Sequence, residues 1–262
     1  MRFIVAGLLS AGAVSLLAGE ALGAPVEVRV TVRNLAPTNS VAFAPLRIGF
    51  NSGMFDSFDN GQPASAAIIS IAEGGSGIDW FPAFASAEPN AVLGSVVPNP
   101  AGPLLPGATA SGVFTVDPAV NRYFTFGSMV VPSNDHFIGN DNPTRYQLFD
   151  ANGNLAISTI SQFGRDIWDA GSEVTEPLNA AFLEVGMNAL RIPENGVVNF
   201  NFSQLDAYNG LTTSAGYVFS RQFAADDEVY RVSFELVPAP GASALFGLAA
   251  LALRRRRRAG AH

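Results

Sequence analysis

The 262 residues contain no cysteine and no lysine, and only two histidines, His136 and His262. Without cysteine there can be no disulfide, zinc-thiolate site, thiol catalysis or lipid attached at an N-terminal cysteine. Stability must then come from core burial, which a chain of this size can supply. Positive charge is sparse as well: residues 24–237 hold nine arginines against 21 acids, near −12. Such a surface repels nucleic-acid phosphates and anionic polymers and attracts divalent cations, which excludes nucleic acid as a partner. Helical periodicity is thin, and 17 prolines and 26 glycines point to a loop-rich β protein. No repeat of fixed period, nucleophile elbow, His-Glu metal motif or phosphate loop occurs.

Both ends read as addresses. Met1-Arg2 followed by the apolar run Phe3–Leu17 and the small residues Ala21-Leu22-Gly23 has the layout of a signal peptide cut after Gly23. At the other end, Val237-Pro238-Ala239-Pro240 precedes twelve mostly apolar residues, Ala242–Leu253, and then Arg254–Arg258. Twelve are too few to span a bilayer core of about 30 Å, which takes roughly 20 in a helix. A basic block directly after such a run marks the cytoplasmic flank. This tripartite tail resembles the PEP-CTERM sorting signal of Gram-negative bacteria, with Ala239 where that signal has an acid. The resemblance implies export, cutting near Pro-x-Pro by an exosortase-like processing enzyme, and only transient contact with the membrane through the tail. The expected division is therefore 1–23 signal peptide, 24–237 a single domain, and 238–262 sorting tail.

Within the domain the strand signals are plain. Val26–Arg33 alternates strictly, apolar on even numbers, the mark of a half-buried strand; 200–202 and 229–236 repeat it. Tyr123–Val131 is a nearly continuous apolar run, as for a strand covered on both faces. The segments 146–149 and 155–158 flank Asp150–Asn154, whose Asn152-Gly153 pair predicts a hairpin. One short helix is predicted over Pro63–Ala72 with Pro63 in its first turn, and long surface loops over 74–107. The fold class expected is an all-β antiparallel sandwich with at most one or two short helices.

Two polar turns could carry chemistry. One follows Pro132 and presents Asp135 beside His136 and Phe137; in the other, Asp169 and Glu173 flank Ala170-Gly171-Ser172. Two roles are open to these acids from spacing alone: solvated turn caps, or ligands of a calcium ion, which takes six to eight oxygens from flexible loops. His136 and Asp135, as neighbours on extended chain, point apart, and a structural histidine is expected. Trp168, ahead of the second turn, is expected to be buried against the strand around Met129.

The segments Gly127–Asp135 (GSMVVPSND), Phe137-x-Gly139 and Trp168–Glu173 (WDAGSE) are similar to the two hallmark segments of the spondin domain. That domain is the extracellular module of the F-spondin and mindin type. Thr31–Leu35, Gly61–Ser65 and Ile71–Gly75 fit its upstream pattern in order, so the resemblance spans about 26 to 185 and extends toward 236. It implies a sandwich akin to calcium-dependent membrane-binding domains, with one calcium ion at its end. Asp135 and Asp169 inherit ligand roles. Asp117, one residue out of register with the acid expected on the preceding strand, and Glu173 are the further candidates.

The function expected is that of an exported, surface- or matrix-associated binding protein, not an enzyme, with extracellular polymer or another surface ligand as partner. The alternative is a secreted hydrolase of extracellular polysaccharide, which needs two carboxyls about 5 Å or 6.5–9.5 Å apart across a cleft. Protein taken from the native host's surface is expected to lack Arg254–Arg258 and to end between Pro238 and Gly241. A mass spectrum with the five arginines intact would contradict the sorting reading.

Overall fold

The computed structural model describes residues 24–238; the signal-peptide and tail readings lie outside them. Strand β1 (Val26–Asn34) buries Val28, Val30 and Val32, the even-numbered face that its alternation sets apart. It forms the centre of a four-stranded antiparallel sheet in the order β5 (Thr109–Val116), β1, β11 (Glu228–Val237), β8 (Thr159–Phe163). A second antiparallel sheet runs β10 (Asn199–Phe200), β9 (Trp168–Asp169), β7 (His136–Gly139), β6 (Tyr123–Val131), β3 (Leu46–Asn51), β4 (Val92–Val96), with β2 (Ala42–Phe43) also paired to β6. The two sheets pack into an all-β sandwich.

Strand β6 explains why its run of apolar residues is continuous. Phe124, Phe126 and Val130 join the core between the sheets, where Phe124 meets Phe234 of the opposite sheet edge-on at 4.8 Å. The alternate residues face outward but are covered too, because a helical layer lies on that face. Helix α1 (Ala66–Ala72) is capped by the Ser65 side chain, and Ile71 packs directly over Gly127. Helix α2 (Trp80–Ala87) adds Trp80 and Phe84. None of the helices among the described residues is long and apolar enough to cross a membrane.

Several sequence expectations are corrected here. Pro63 precedes the first helix instead of lying in its first turn. Residues 74–107 are not loop throughout: they hold α2 and β4, since Trp80, Phe81 and Phe84 give the helix an apolar face that the surrounding glycines and prolines obscure. The 150–154 turn forms, with Asp150 Oδ1 accepting from the backbone N–H groups of Asn152 and Asn154. Its arms, however, make only the single bridge Phe149–Leu155. The strand on that side begins at Thr159.

Trp168 is buried as expected, at 4% exposure, but not against Met129. Its ring meets Phe200 at 3.6 Å, Phe58 at 5.1 Å and Phe137 at 6.5 Å, and its Nε1 donates to Gly139 O at 3.2 Å. Met129 lies across from Phe137 on β6 and packs with Ala42, Ala44 and Val131. Trp168→Ala is expected to lower unfolding free energy by about 3–5 kcal/mol, the range for removing a buried large aromatic, as read by chemical denaturation. A loss below about 1 kcal/mol would mean that the tryptophan does not pin β9 to the helical layer.

Candidate functional site

Three carboxyls lie at the end of the sandwich where β6 turns into β7 and β9 leaves the sheet. The β6–β7 turn, Pro132–Asp135, is wholly buried. Asp135 does not sit in a solvated loop, because its carboxylate is taken up by the neighbouring turn. Its Oδ2 accepts from the backbone N–H of Ser172 at 2.8 Å, that of Glu173 at 3.0 Å, and Ser172 Oγ at 3.1 Å. Its backbone carbonyl accepts from Ala170 N at 3.2 Å. The second turn is shaped by Gly171, at φ +62°, where a Cβ would fall 2.6 Å from the Val197 backbone. Only glycine fits there without strain. Gly171 N donates to Asp169 Oδ1 at 2.7 Å, and Asn201 Nδ2 lies 3.4 Å from Asp169 Oδ2.

Glu173 is fully buried beside them. Its Oε1 accepts from Asn134 Nδ2 at 3.2 Å. Asn134 is held in turn by Tyr208, whose hydroxyl donates to its Oδ1 at 2.6 Å, and by Glu176 N at 3.0 Å. Two buried carboxyl oxygens have no hydrogen-bond partner, Asp135 Oδ1 and Glu173 Oε2; the same holds for Nδ1 of the adjacent His136. The other ring nitrogen of His136 lies 3.1 Å from Asn201 O, which fits the structural role expected of it.

The electrostatics follow from this crowding. Burial, then the charge of Asp169, raises the Asp135 carboxyl above the usual aspartate range. Burial also lifts Glu173, to about 7, with Glu73 and Asp135 adding to it against the Asn134 amide and Arg191. Glu73, buried under the same end, is raised chiefly by desolvation and forms an ion pair with Arg191. An unpaired buried acid escapes its desolvation cost by holding its proton. The end is a set of acids with too little positive charge to settle them.

Asp135, Asp169 and Glu173 are thus brought into one neighbourhood. Asp117 is not. Its Oδ1 caps Ala119 N at 2.9 Å in the turn before β6, whereas Asp135 follows the far end of that nine-residue strand, about 30 Å away at 3.3 Å per residue. Sequence reasoning missed Glu73, Arg191 and Asn134 as parts of the site. Glu73 stands on the cap of α1 and Arg191 in a distant excursion, and nothing local in either segment signals that they meet. Among the described residues no three or more His, Asp or Glu side chains are arranged about one point as a metal site. The residues do fit a hard cation in donor type: carboxyl and amide oxygens, no thiolate, and two unpaired oxygens from different loops. Compared with known protein families and with curated proteins, the chain matches none.

Because the folded-state pKa of Glu173 lies above its ordinary value of 4.5, the folded protein binds more protons than the unfolded chain between about 4.5 and 7. Stability is fully present below that window and falls as pH rises through it. Glu73 and Asp135 act in the same sense. The melting temperature in chelator is expected to drop from about pH 5 to about pH 8, and Glu173→Gln should flatten part of that slope and raise Tm at the upper end. A slope unchanged by Glu173→Gln would contradict the assignment.

Proposed function

We propose that this chain is an exported binding protein of the bacterial cell surface or extracellular polymer layer, spondin-like in its sandwich, whose acidic end takes up one calcium ion. The observation that carries the metal part is the pair of unpaired buried oxygens, Asp135 Oδ1 and Glu173 Oε2. Leaving such atoms unmatched is costly, and a divalent cation would relieve both the missing contacts and the excess of negative charge. Asp135 and Glu173 would offer their free oxygens. Asp169 would join them only by giving up the hydrogen bonds it accepts from Gly171 N and Asn201 Nδ2, so the turns would tighten around the ion, which would supply positive charge to an otherwise acidic end. The spondin-like segments at 127–139 and 168–173 fall on the two turns that build this end, and the signal-like and tail segments support export.

The geometry favours binding over hydrolysis. A glycosidase places its two carboxyls on opposite sides of a cleft open to substrate. Here Asp135 and Glu173 are at 0% exposure and Asp169 at 2%, and the free oxygens of Asp135 and Glu173 are buried. No sugar chain could be threaded between them without opening both turns.

Calcium is expected to raise the melting temperature of the protein in proportion to RT ln(1 + [Ca]/Kd), because it binds only the folded state. Asp169→Asn keeps an oxygen for Gly171 N and should fold in chelator, while losing most of the calcium-induced rise. Identical melting in calcium and in chelator would sink the metal site.

A further inference from the structure

On the face of β9 away from the acids, a cavity of about 220 Å³ opens between the β7 end, the 141–146 segment, β8 and β10. That volume lies just below the roughly 300–1,000 Å³ of drug-sized ligand sites, a scale that suits one sugar ring. Its apolar side is Phe200, 48% exposed and stacked on Trp168 at 3.6 Å. A phenylalanine half open to solvent beside a polar cavity is unlike the rest of the aromatic packing, in which Phe58, Phe137 and Trp168 are all covered.

The polar side mixes donors and acceptors. Arg145 Nε donates to Tyr146 OH at 3.2 Å and Gln162 Nε2 points to the same oxygen at 3.3 Å, which leaves the tyrosine proton for a ligand oxygen. The Arg145 charge is favoured first by the Tyr146 hydroxyl and then, more weakly, by the nearby carboxylates of Asp141 and Asp166. Asp166 spends Oδ2 on Phe163 N at 2.9 Å, and its other oxygen remains. Gln162, 3% exposed, lines the cavity with its Oε1 unpaired. The set neither reads a single charge nor excludes water. It offers carboxylates that accept from hydroxyls, an arginine and a tyrosine that donate to them, and the exposed part of the Phe200 ring as an apolar surface.

We propose that this cavity is a subsite for one neutral pyranose residue of an extracellular polysaccharide. Vicinal hydroxyls satisfy both kinds of polar group, and the ring's C–H face lies against Phe200. Two acids against one arginine leave the site negative, so uronic acids are disfavoured. The cavity is partly open to solvent, so a bound residue could belong to a longer chain. This subsite gives a ligand class to the surface-binding role proposed above and rests on it.

The test uses the full chain with methyl α-glucoside, α-galactoside and α-mannoside, glucuronic acid and free arginine as probes, read by ligand-observed NMR. At least one neutral glycoside should bind saturably with Kd on the order of 1–10 mM, more tightly than glucuronic acid. Phe200→Ala and, independently, Asp141→Asn should each weaken it about tenfold while melting shows both variants folded. Absence of saturable glycoside binding, preference for free arginine, or binding untouched by both variants would overturn the subsite. Retention of the host's own exopolymer separates the two levels of the reading. Phe200→Ala protein that retains it like wild type overturns the subsite alone, and wild type that retains none overturns the surface-binding role.

Discussion

One carboxylate oxygen, Asp135 Oδ2, ties together the two turns on which everything at this end depends. It accepts from two successive backbone N–H groups and a hydroxyl of the 170–173 turn, so the turn after β6 and the turn after β9 cannot move separately. Hydrogen bonds to an ionised acceptor are stronger than neutral ones, and this set is out of water. Such bonds favour the ionised carboxylate, while burial and the neighbouring Asp169 disfavour it. The clamp therefore works against its own desolvation, and the unpaired Oδ1 is where that conflict is left open. A cation there would remove the conflict without disturbing the clamp.

The two-residue strand β9 carries both proposed sites. Because successive side chains on a strand face opposite ways, Asp169 turns toward the acidic end while Trp168 turns toward the aromatic layer and the cavity. The pattern repeats across the ladder: Phe200 is paired with Trp168 and stacks on it, and Asn201 reaches Asp169. Metal and sugar subsites so placed share a backbone but no ligand atom, and each can fail without the other.

How much of this was legible in the sequence depended on whether the signal was local. Period-two alternation located β1 to within one residue at its end, and the apolar run from Tyr123 to Val131 matched β6 at both ends. Helix α2 was hidden because Gly74, Gly75, Gly77 and Pro82 dominate its surroundings, although proline in a first turn is compatible with a helix. Asp135, Asp169 and Glu173 were visible because each sits in a short polar turn beside a buried strand. Asp117 is a candidate only because the resemblance expects an acid on the preceding strand, and it lies at the opposite end of β6, since a family pattern read one residue out of register does not say which end of a sandwich the acid occupies. Glu73 and Arg191 had no local mark at all, as their meeting is a product of the tertiary fold.

Calorimetric titration of the full chain with calcium near pH 7, in buffers of different ionisation enthalpy, reads both the ion and the protons of this end. A carboxyl whose pKa stands at about 7 is partly protonated there, and an ion that takes its oxygen must displace that proton. The account requires one calcium per chain and a fraction of a proton released on binding, with the release lost in Glu173→Gln. Binding with no proton release, or no binding at all, would contradict it.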